Sequence, residues 1–331
     1  MKIFITGATG FVGSHLCDLL EREGHEIFAL VRSPKKAKQF NVPGTYIKGA
    51  LSSKASNLWI NELPNDLDAV VHTAGIVHSM NVEKFYEVNS ECTNVLINDL
   101  KSKFKDINFT LVSSLAAVGP SKKDQSLSEN DLPTPVSDYG KSKLLAEKYT
   151  KECAPTNWKI NIIRPPMVIG PRDPAVLDIF KMIKSRVTIS AGLNALENQY
   201  SFVCVFDLVQ CIYKTLIQEN EKSETYFGSH PTSITLRDLY SQLKKSMNRS
   251  LVINLSIPSF IIKFLGHFIG LISKVIKIDI RLTPDKVNEL LPNAWVCDSK
   301  KSIESLSMNY EWDLEKTISE TLKDYKERNW I

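Results

Sequence analysis

The chain has 331 residues, which is enough for one large domain with a smaller second lobe. Hydrophobic residues make up 43% of the chain and charged residues 24%, as in an ordinary soluble globular protein. The formal net charge of +4 is spread over mixed acids and bases and gives no electrostatic basis for nucleic-acid binding. The six cysteines show no paired spacing and no histidine cluster, so we expect no disulfide framework, no metal site and a cytoplasmic location.

Short β-branched or apolar runs alternate with longer helical patterns through the first two-thirds of the chain. The predicted strands cover residues 2–6, 26–31, 44–49, 68–74, 108–114 and 159–165. The predicted helices between them cover residues 11–23, 81–103 and 139–153. This alternation predicts an α/β fold, with a doubly wound parallel sheet covered by helices on both faces.

The pattern becomes less regular after residue 170. Residues 200–206 are typical of a strand that returns to the sheet, residues 207–219 of a helix, and residues 230–331 of a mostly helical lobe. The resulting division into two parts has the following bounds: residues 1–170 plus about 201–228 for nucleotide binding, and about 171–200 plus 229–331 for a smaller substrate-binding lobe.

Residues 256–280 form the most hydrophobic run of the chain, interrupted by three lysines and His267. Its uninterrupted apolar length is too short for a membrane span. Three interpretations stay open: a helix packed in the C-terminal lobe, a cover over a hydrophobic substrate pocket, or contact with a membrane surface with the lysines outward.

A glycine-rich turn, TGATGFVG, lies directly between the first predicted strand and the first helix. Glycine permits a tight turn and a close approach of phosphate to the backbone, and the helix start offers N–H groups to a pyrophosphate. This context predicts a Rossmann-type dinucleotide site. The residues expected to contact the dinucleotide here are Gly7, Thr9, Gly10, Phe11, Val12 and Gly13.

The residue after the second predicted strand discriminates between the two nicotinamide dinucleotides. NAD-binding sites usually place an acid there to hold the ribose 2′-hydroxyl. Here Arg32 takes that place, followed by Ser33, Lys35 and Lys36, and a guanidinium pairs well with a 2′-phosphate. We therefore expect NADP(H) in preference to NAD(H), the alternative being a solvent-exposed basic loop.

Tyr139 and Lys143 lie four residues apart at the head of a predicted helix, so they share one face of it. An adjacent ammonium favours the phenolate, which predicts a lowered pKa for Tyr139 and a role in proton transfer. By itself the pair also fits an ordinary surface helix start, capped by Ser137 or Asp138, with a solvated lysine.

Five segments, TGATGFVG, HTAG, VSS, YGKSK and RPPMVIGP, occur in this order and together resemble the extended short-chain dehydrogenase/reductase superfamily. The resemblance covers residues 1–228 well and the remainder loosely. It implies that Tyr139 is the general acid/base, that Lys143 lowers its pKa and binds the nicotinamide ribose, and that Ser114 hydrogen-bonds the substrate oxygen. It also implies a homodimer, which family members often form.

The resemblance adds expected contacts outside the glycine turn. Further cofactor contacts are implied for Ala74, Gly75, Asn89, Tyr139, Lys143, Pro166 and Val168, and substrate contacts for His78, Met167 and Tyr200. Asn89 stays open as a helix-packing residue. The third strand ends in Gly49-Ala50-Leu51, where the family often has Gly-Asp-Leu, so the lining of the adenine pocket stays open too.

Two positions indicate the branch of the superfamily, because each lacks a residue that members acting on nucleotide-diphosphate sugars usually carry. Members that act on nucleotide-diphosphate sugars usually carry an arginine where Tyr200 stands and an asparagine where Met167 stands, because a diphosphate needs charge-assisted donors. The segments RPPMVIGPRD and YSFVCVFDL are more similar to dihydroflavonol reductases and 3β-hydroxysteroid dehydrogenases. Ser114 is followed by Leu115 and Ala116 instead of an acidic pair, which argues against a dehydratase.

We therefore expect an NADP(H)-dependent oxidoreductase that transfers hydride to or from a small or hydrophobic carbonyl/alcohol substrate. One alternative is a nucleotide-sugar epimerase with tightly bound NAD(P). Another is a non-catalytic dinucleotide-binding protein, which the presence of Ser114, Tyr139 and Lys143 disfavours.

Overall fold

The computed structural model describes residues 1–218, 222–266 and 283–331. In chain order the strands are β1 (Lys2–Thr6), β2 (Glu26–Val31), β3 (Thr45–Lys48), β4 (Ala69–His72), β5 (Asn108–Val112), β6 (Lys159–Arg164), β7 (Met167–Ile169), β8 (Val187–Ala191), β9 (Gln199–Tyr200), β10 (Phe202–Cys204), β11 (Glu224–Phe227), β12 (Ile234–Thr235), β13 (Ile253–Ile257) and β14 (Ala294–Trp295).

The helices alternate with these strands in the first half of the chain. They are α1 (Phe11–Arg22), α2 (Pro34–Gln39), α3 (Val82–Phe85), α4 (Cys92–Lys103), α5 (Asp138–Cys153), α6 (Leu177–Lys184), α7 (Val205–Ile217), α8 (Leu236–Ser246), α9 (described over residues 259–266), α10 (Pro284–Leu290), α11 (Lys300–Leu306) and α12 (Leu314–Glu327). A π-helical turn, Tyr86–Glu91, joins α3 to α4.

Seven parallel strands form the central sheet, in the order β11-β6-β5-β4-β1-β2-β3. Its inner strands are apolar on both faces, as expected for a parallel sheet covered on both sides. One apolar cluster joins α1 and α7 to one face, and a second joins α4 and α5 to the other. The order reverses beside β1, and ligands of such sheets bind at the carboxyl ends of the strands near this point.

The remaining strands form small separate sheets: β10 with β7, β12 with β9 and β14, and β13 with β8. A third apolar cluster lies among α6, α8 and α12. None of the helices in the described ranges is long and apolar enough to cross a membrane.

Two expectations about the chain after residue 170 need correction. Residues 200–206 do not return to the central sheet; they form β9 and β10, and β10 pairs with β7. The chain returns instead through β11, which is only four residues long and pairs with β6. The C-terminal part also contains strands as well as helices. Of the apolar run 256–280, residues 267–280 lie outside the described residues.

Candidate active site

The glycine turn is built as the sequence predicts, because close approaches at Gly7 and Gly13 leave no room for a side chain at either position. Gly7 has a φ of +77°, and a Cβ there would lie 2.6 Å from Thr73 Oγ1. A Cβ on Gly13 would lie 2.3 Å from the carbonyl oxygen of Gly7, which also accepts a 2.8 Å hydrogen bond from Gly10 N. Gly10 is the N-cap of α1 and brings no capping side chain, so the helix start is suited to an anion.

Replacing Gly13 with alanine should therefore lower dinucleotide affinity by about tenfold or more, since the new methyl group forces the turn apart. Isothermal titration with NADP⁺ and NAD⁺ measures the change. Gly24→Ala is the control: Gly24 has a positive φ, unlike Gly13, and a Cβ there meets open space beyond the far end of α1. It should cost some stability and leave affinity unchanged; equal loss in both variants would contradict the prediction.

The other predicted contacts of the turn surround it. Thr9, Phe11 and Val12 are half-buried, and the last two pack against the apolar cluster of α1 and α7. A Cβ on Gly7 would also lie 2.7 Å from the backbone nitrogen of Ala74, so the turn after β4 lies directly against the glycine turn. The structure thus brings both segments to one edge of the sheet.

Asn89 holds this second turn in place from the π-helical segment. Its Oδ1 accepts a 2.8 Å hydrogen bond from Ile76 N, and its Nδ2 donates to Ile76 O and to Ser142 Oγ, each at 3.0 Å. The residue is only 1% exposed, and these hydrogen bonds make its side chain a support of the turn. The direct cofactor contact expected for Asn89 stays a prediction. π-Helical turns often occur beside functional sites.

Ser114, Tyr139 and Lys143 meet at the carboxyl end of β5. Ser114 Oγ accepts a 3.1 Å hydrogen bond from Ala116 N and lies close enough to the phenol of Tyr139 to lower the pKa of that group. The ammonium of Lys143 is buried and donates a 2.7 Å hydrogen bond to the carbonyl oxygen of Val112. A Cβ on Gly75 would lie 3.8 Å from Lys143 Nζ, so the lysine borders the turn after β4.

In the protein without ligand, the pKa of Tyr139 differs from the value expected beside Lys143. Burial raises the pKa of the Tyr139 phenol to about 12, the hydrogen bond from Ser114 opposes the rise, and the charge of Glu289 adds to it. Burial also lowers the pKa of Lys143 to about 8, which the charge of Glu147 partly opposes. In the protein without ligand the pKa of Tyr139 is therefore raised and not lowered as expected, since desolvation outweighs the hydrogen bond from Ser114.

The start of α5 is fixed by residues far away in the sequence. Ser137 is its N-cap, as one sequence-based interpretation held, and accepts a hydrogen bond from Gly140 N. Asp285 of α10 accepts from the backbone nitrogens of Asp138, at 2.5 Å, and Tyr139, at 3.2 Å. A carboxylate at a helix N-terminus satisfies otherwise unpaired N–H groups and interacts favourably with the helix dipole. No local sequence signal pointed to Asp285.

A buried ion pair lies behind Lys143. Arg164, at the end of β6, donates to both carboxylate oxygens of Glu147, at 2.9 and 2.6 Å. Ser113 Oγ donates to the same carboxylate at 2.5 Å, and both charged side chains are at most 4% exposed. Because Glu147 follows Lys143 by one helical turn, this network fixes the face of α5 that carries the lysine.

Four of the remaining predicted residues form two pairs with different surroundings. Pro166 and Val168 are half-buried just after Pro165, whose carbonyl accepts a 2.8 Å hydrogen bond from Leu115 N beside Ser114. Met167 and Tyr200 are half-buried and pack against the apolar cluster of α6, α8 and α12.

Two further predicted residues lie outside this core of contacts. Arg32 is exposed at the end of β2 and makes no ion pair with the part of the chain that the structure describes. His78 is half-buried in the segment after Gly75. Sequence reasoning also missed Trp59: it stacks against Gly49 after β3, and its Nε1 donates to Ala50 O at 3.0 Å.

Taken together, the seven-stranded parallel sheet and the glycine turn define a Rossmann-type fold, and Ser114, Tyr139 and Lys143 at the carboxyl edge of the sheet are its candidate acid/base residues. The model of the NAD dependent epimerase/dehydratase family matches residues 3–227. The chain therefore belongs to this family, within the extended short-chain dehydrogenase/reductase superfamily. The resemblance, the fold class and the expectation of an enzyme of this type are confirmed.

Two curated relatives share similar stretches of sequence. The chain is 28% identical over 181 residues to "Ceramide reductase" of Caulobacter vibrioides, covering 54% of this chain and 50% of that one. It is 26% identical over 181 residues to "Sterol-4-alpha-carboxylate 3-dehydrogenase, decarboxylating" of Dictyostelium discoideum, covering 52% and 55%. The chain thus spans about half the length of these relatives.

Solved structures match nearly the whole chain. UDP-glucuronic acid 4-epimerase from Bacillus cereus, in complex with UDP-glucuronic acid and NAD, superposes with a TM-score of 0.77 over 99% of this chain and 100% of that one, at 20% identity. UDP-glucose 4-epimerase from Thermotoga maritima gives a TM-score of 0.72 at 19% identity, over 99% and 100% of the two chains. At this identity the likeness shows the fold alone.

Proposed function

We propose that the protein is an NADP(H)-dependent oxidoreductase that reduces a carbonyl group, or oxidises the corresponding alcohol, of a hydrophobic substrate. The observation that carries the proposal is the approach of Ser114 to the Tyr139 phenol, one helical turn from the buried ammonium of Lys143. A phenol placed in this way is suited to hold and transfer a proton at a substrate oxygen.

The residues fit a nicotinamide dinucleotide, since the crowded Gly7–Gly13 turn leaves backbone N–H groups at the start of α1. When bound, the reduced dinucleotide supplies the hydride for the carbonyl carbon. Tyr139 gives its proton to the carbonyl oxygen, and Ser114 orients that oxygen through its hydroxyl. Lys143, held by Val112 O, stabilises the negative charge that develops on the phenol oxygen as the proton leaves.

The hydrophobic substrate class is supported by the surroundings of Met167 and Tyr200. Met167 and Tyr200 are half-buried among apolar side chains and provide no cationic donor for a diphosphate. The names of the two curated relatives, a ceramide reductase and a sterol dehydrogenase, point to lipids in those proteins. A nucleotide-sugar epimerase remains the alternative, with a dTDP-6-deoxy-L-talose 4-dehydrogenase of Kitasatospora kifunensis, 29% identical over 146 residues, among the relatives.

The test compares two substrate panels with the whole chain. Loss of NADPH absorbance is followed with hydrophobic ketones, and with UDP-sugars in parallel assays that separate epimeric products. Net oxidation of NADPH by a ketone supports the proposal. Interconversion of a UDP-sugar without net coenzyme turnover would replace it with the epimerase alternative.

Arg32 supports the preference for NADP(H), because its exposed guanidinium follows β2 where an acid would favour NAD(H). Arg32→Ala should weaken NADP⁺ binding by about 10- to 100-fold, the value of a charge-assisted pair, and change NAD⁺ binding little. Titration calorimetry measures both constants. Arg22→Ala, on the exposed end of α1, is the matched control. A similar loss for both dinucleotides would contradict this role of Arg32.

Three broader features are also part of the proposal. Residues 1–170 with about 201–228 bind the dinucleotide and about 171–200 with 229–331 bind the substrate, since all strands of the central sheet lie in the first set. The six free cysteines support a reducing, cytoplasmic location. The homodimer rests on resemblance to family members.

A further inference from the structure

The strand pair β8–β13 has its apolar side chains on the outside. In its parallel register Val187 pairs with Ile253 and Ile189 with Leu255. These four side chains are between 37% and 57% exposed, although each is of a type that strands normally bury. The outward face of this sheet is therefore a continuous row of branched apolar groups.

The inward face is polar instead, and its groups satisfy one another. Thr188 Oγ1 donates to Asn254 Oδ1 at 3.0 Å, and Asn254 Nδ2 donates to Ser190 Oγ and Ser256 Oγ, each at 3.0 Å. Thr188 and Ser190 are almost fully buried. This network fixes the register of the two strands, because a shift by one residue would bury the apolar row and expose the polar one.

The apolar surface continues past the carboxyl ends of both strands. Leu193, after β8, is 71% exposed and Phe260, at the start of α9, is 73% exposed. Both line a cavity of about 400 Å³ between these two segments. A contiguous apolar surface of this kind is uncommon on a protein that meets only water and usually marks an interaction site.

The charged side chains of the same segments are all basic. Residues 179–196 and 239–266 contain no aspartate or glutamate. Their basic residues are Lys181, Lys184, Arg186, Lys244, Lys245, Arg249 and Lys263. Lys181, Lys184 and Arg186 are exposed directly before β8 and make no ion pair with described residues. Because the whole chain carries only +4, this concentration of charge is local.

We propose that this face, formed by β8, β13, Leu193 and the start of α9, docks on an anionic phospholipid surface. The apolar row and Phe260 enter the boundary between headgroups and acyl chains, and Lys181, Lys184 and Arg186 contact the phosphate-bearing headgroups. A protein partner would also bury the apolar row, but the lack of any acid in these segments fits a uniformly negative surface best. The inference goes beyond the proposed reaction and does not depend on it.

Vesicle sedimentation with the whole chain tests the inference without any substrate or coenzyme. Vesicles of phosphatidylcholine with about 25% phosphatidylglycerol should bind the protein about tenfold or more better than vesicles of phosphatidylcholine alone, because basic residues near an anionic surface each contribute. Raising the salt concentration should weaken the binding. Equal or absent binding to both vesicle types would overturn the inference.

Two variants separate the apolar and the basic contributions. Ile189→Thr with Leu255→Thr places β-branched polar side chains in the strands, and Lys181→Gln with Lys184→Gln removes two charges. Each should lower binding to anionic vesicles about tenfold with little change in thermal unfolding. Leu58→Ser, at an exposed leucine after β3, is the control and should bind normally. A concentration-dependent dimer that the threonine variant abolishes would overturn the inference, since a second copy would then cover the face.

Discussion

Replacing Tyr139 with phenylalanine should lower kcat about 100- to 10,000-fold with the ketone that the wild-type protein reduces, since the change removes only the proton donor. The phenyl ring of the variant would keep the edge-to-face contact that Tyr139 makes with Phe85, at 6.0 Å between ring centres, so the fold should be unaffected. NADPH binding should persist, and the thermal shift given by NADP⁺ should equal that of the wild type. Steady-state kinetics and thermal unfolding measure the two results separately.

Tyr149→Phe provides the matched control. Tyr149 is on the same helix, α5, and its hydroxyl donates to Glu91 Oε1 at 3.2 Å, away from Ser114. Its activity should stay within about twofold of the wild type, because a surface hydrogen bond contributes little. If the Tyr139 variant retained full activity while Tyr149→Phe did not, the proposed proton donor would have to be given up.

Glu147→Gln should lower the free energy of unfolding by about 3–5 kcal/mol, the cost of leaving one member of a buried ion pair uncompensated. The guanidinium of Arg164 would lose its charged partner, and its Nη1 already has no hydrogen-bond partner among the described residues. Urea unfolding at neutral pH gives the free energy directly. Removing the charge of Glu147 should also lower the pKa of Lys143 further below about 8, because that charge opposes the effect of burial.

The same helix offers a control for this prediction. Glu152 pairs with Lys148 at 3.9 Å on the solvent side of α5, where both side chains are well exposed. Glu152→Gln should change the free energy of unfolding by less than about 0.5 kcal/mol, as for most surface pairs. If both variants lost similarly little free energy of unfolding, another group would have to compensate the Arg164 charge. The structural role assigned to the Glu147–Arg164 pair would then be wrong.

Local sequence was sufficient for six of the seven strands of the central sheet, β1 to β6. The bounds of β1 and β2 agree with the prediction, β5 and β6 end one or two residues early, and β4 is shorter by one residue at its start and two at its end. Such strands are buried on both faces, so their apolar runs are continuous and clear in the sequence. The Gly7–Gly13 turn was also predictable, because a turn at this point leaves room only for glycine.

Local sequence patterns did not predict which strands pair with each other when they are far apart in the chain. β11 is only four residues long, and it pairs with β6 after α7, which packs on the sheet. The sequence-based assignment of residues 200–206 to the central sheet failed because an apolar run indicates a strand but not its partner. The inverted pair β8–β13 has alternating side chains, which predict a strand whose apolar face is buried, whereas here that face is outside.

The sequence by itself determined the family and the glycine turn and predicted Ser114, Tyr139 and Lys143 as site residues, because each of these motifs consists of residues close together in the chain. Only the tertiary structure decided how this site is held and how its groups titrate. Asp285 reaches the start of α5 from 147 residues away, and Arg164 reaches Glu147 from the neighbouring strand. The pKa of Tyr139 rises to about 12 because burial, which no local pattern of residues records, outweighs the nearby hydrogen bond.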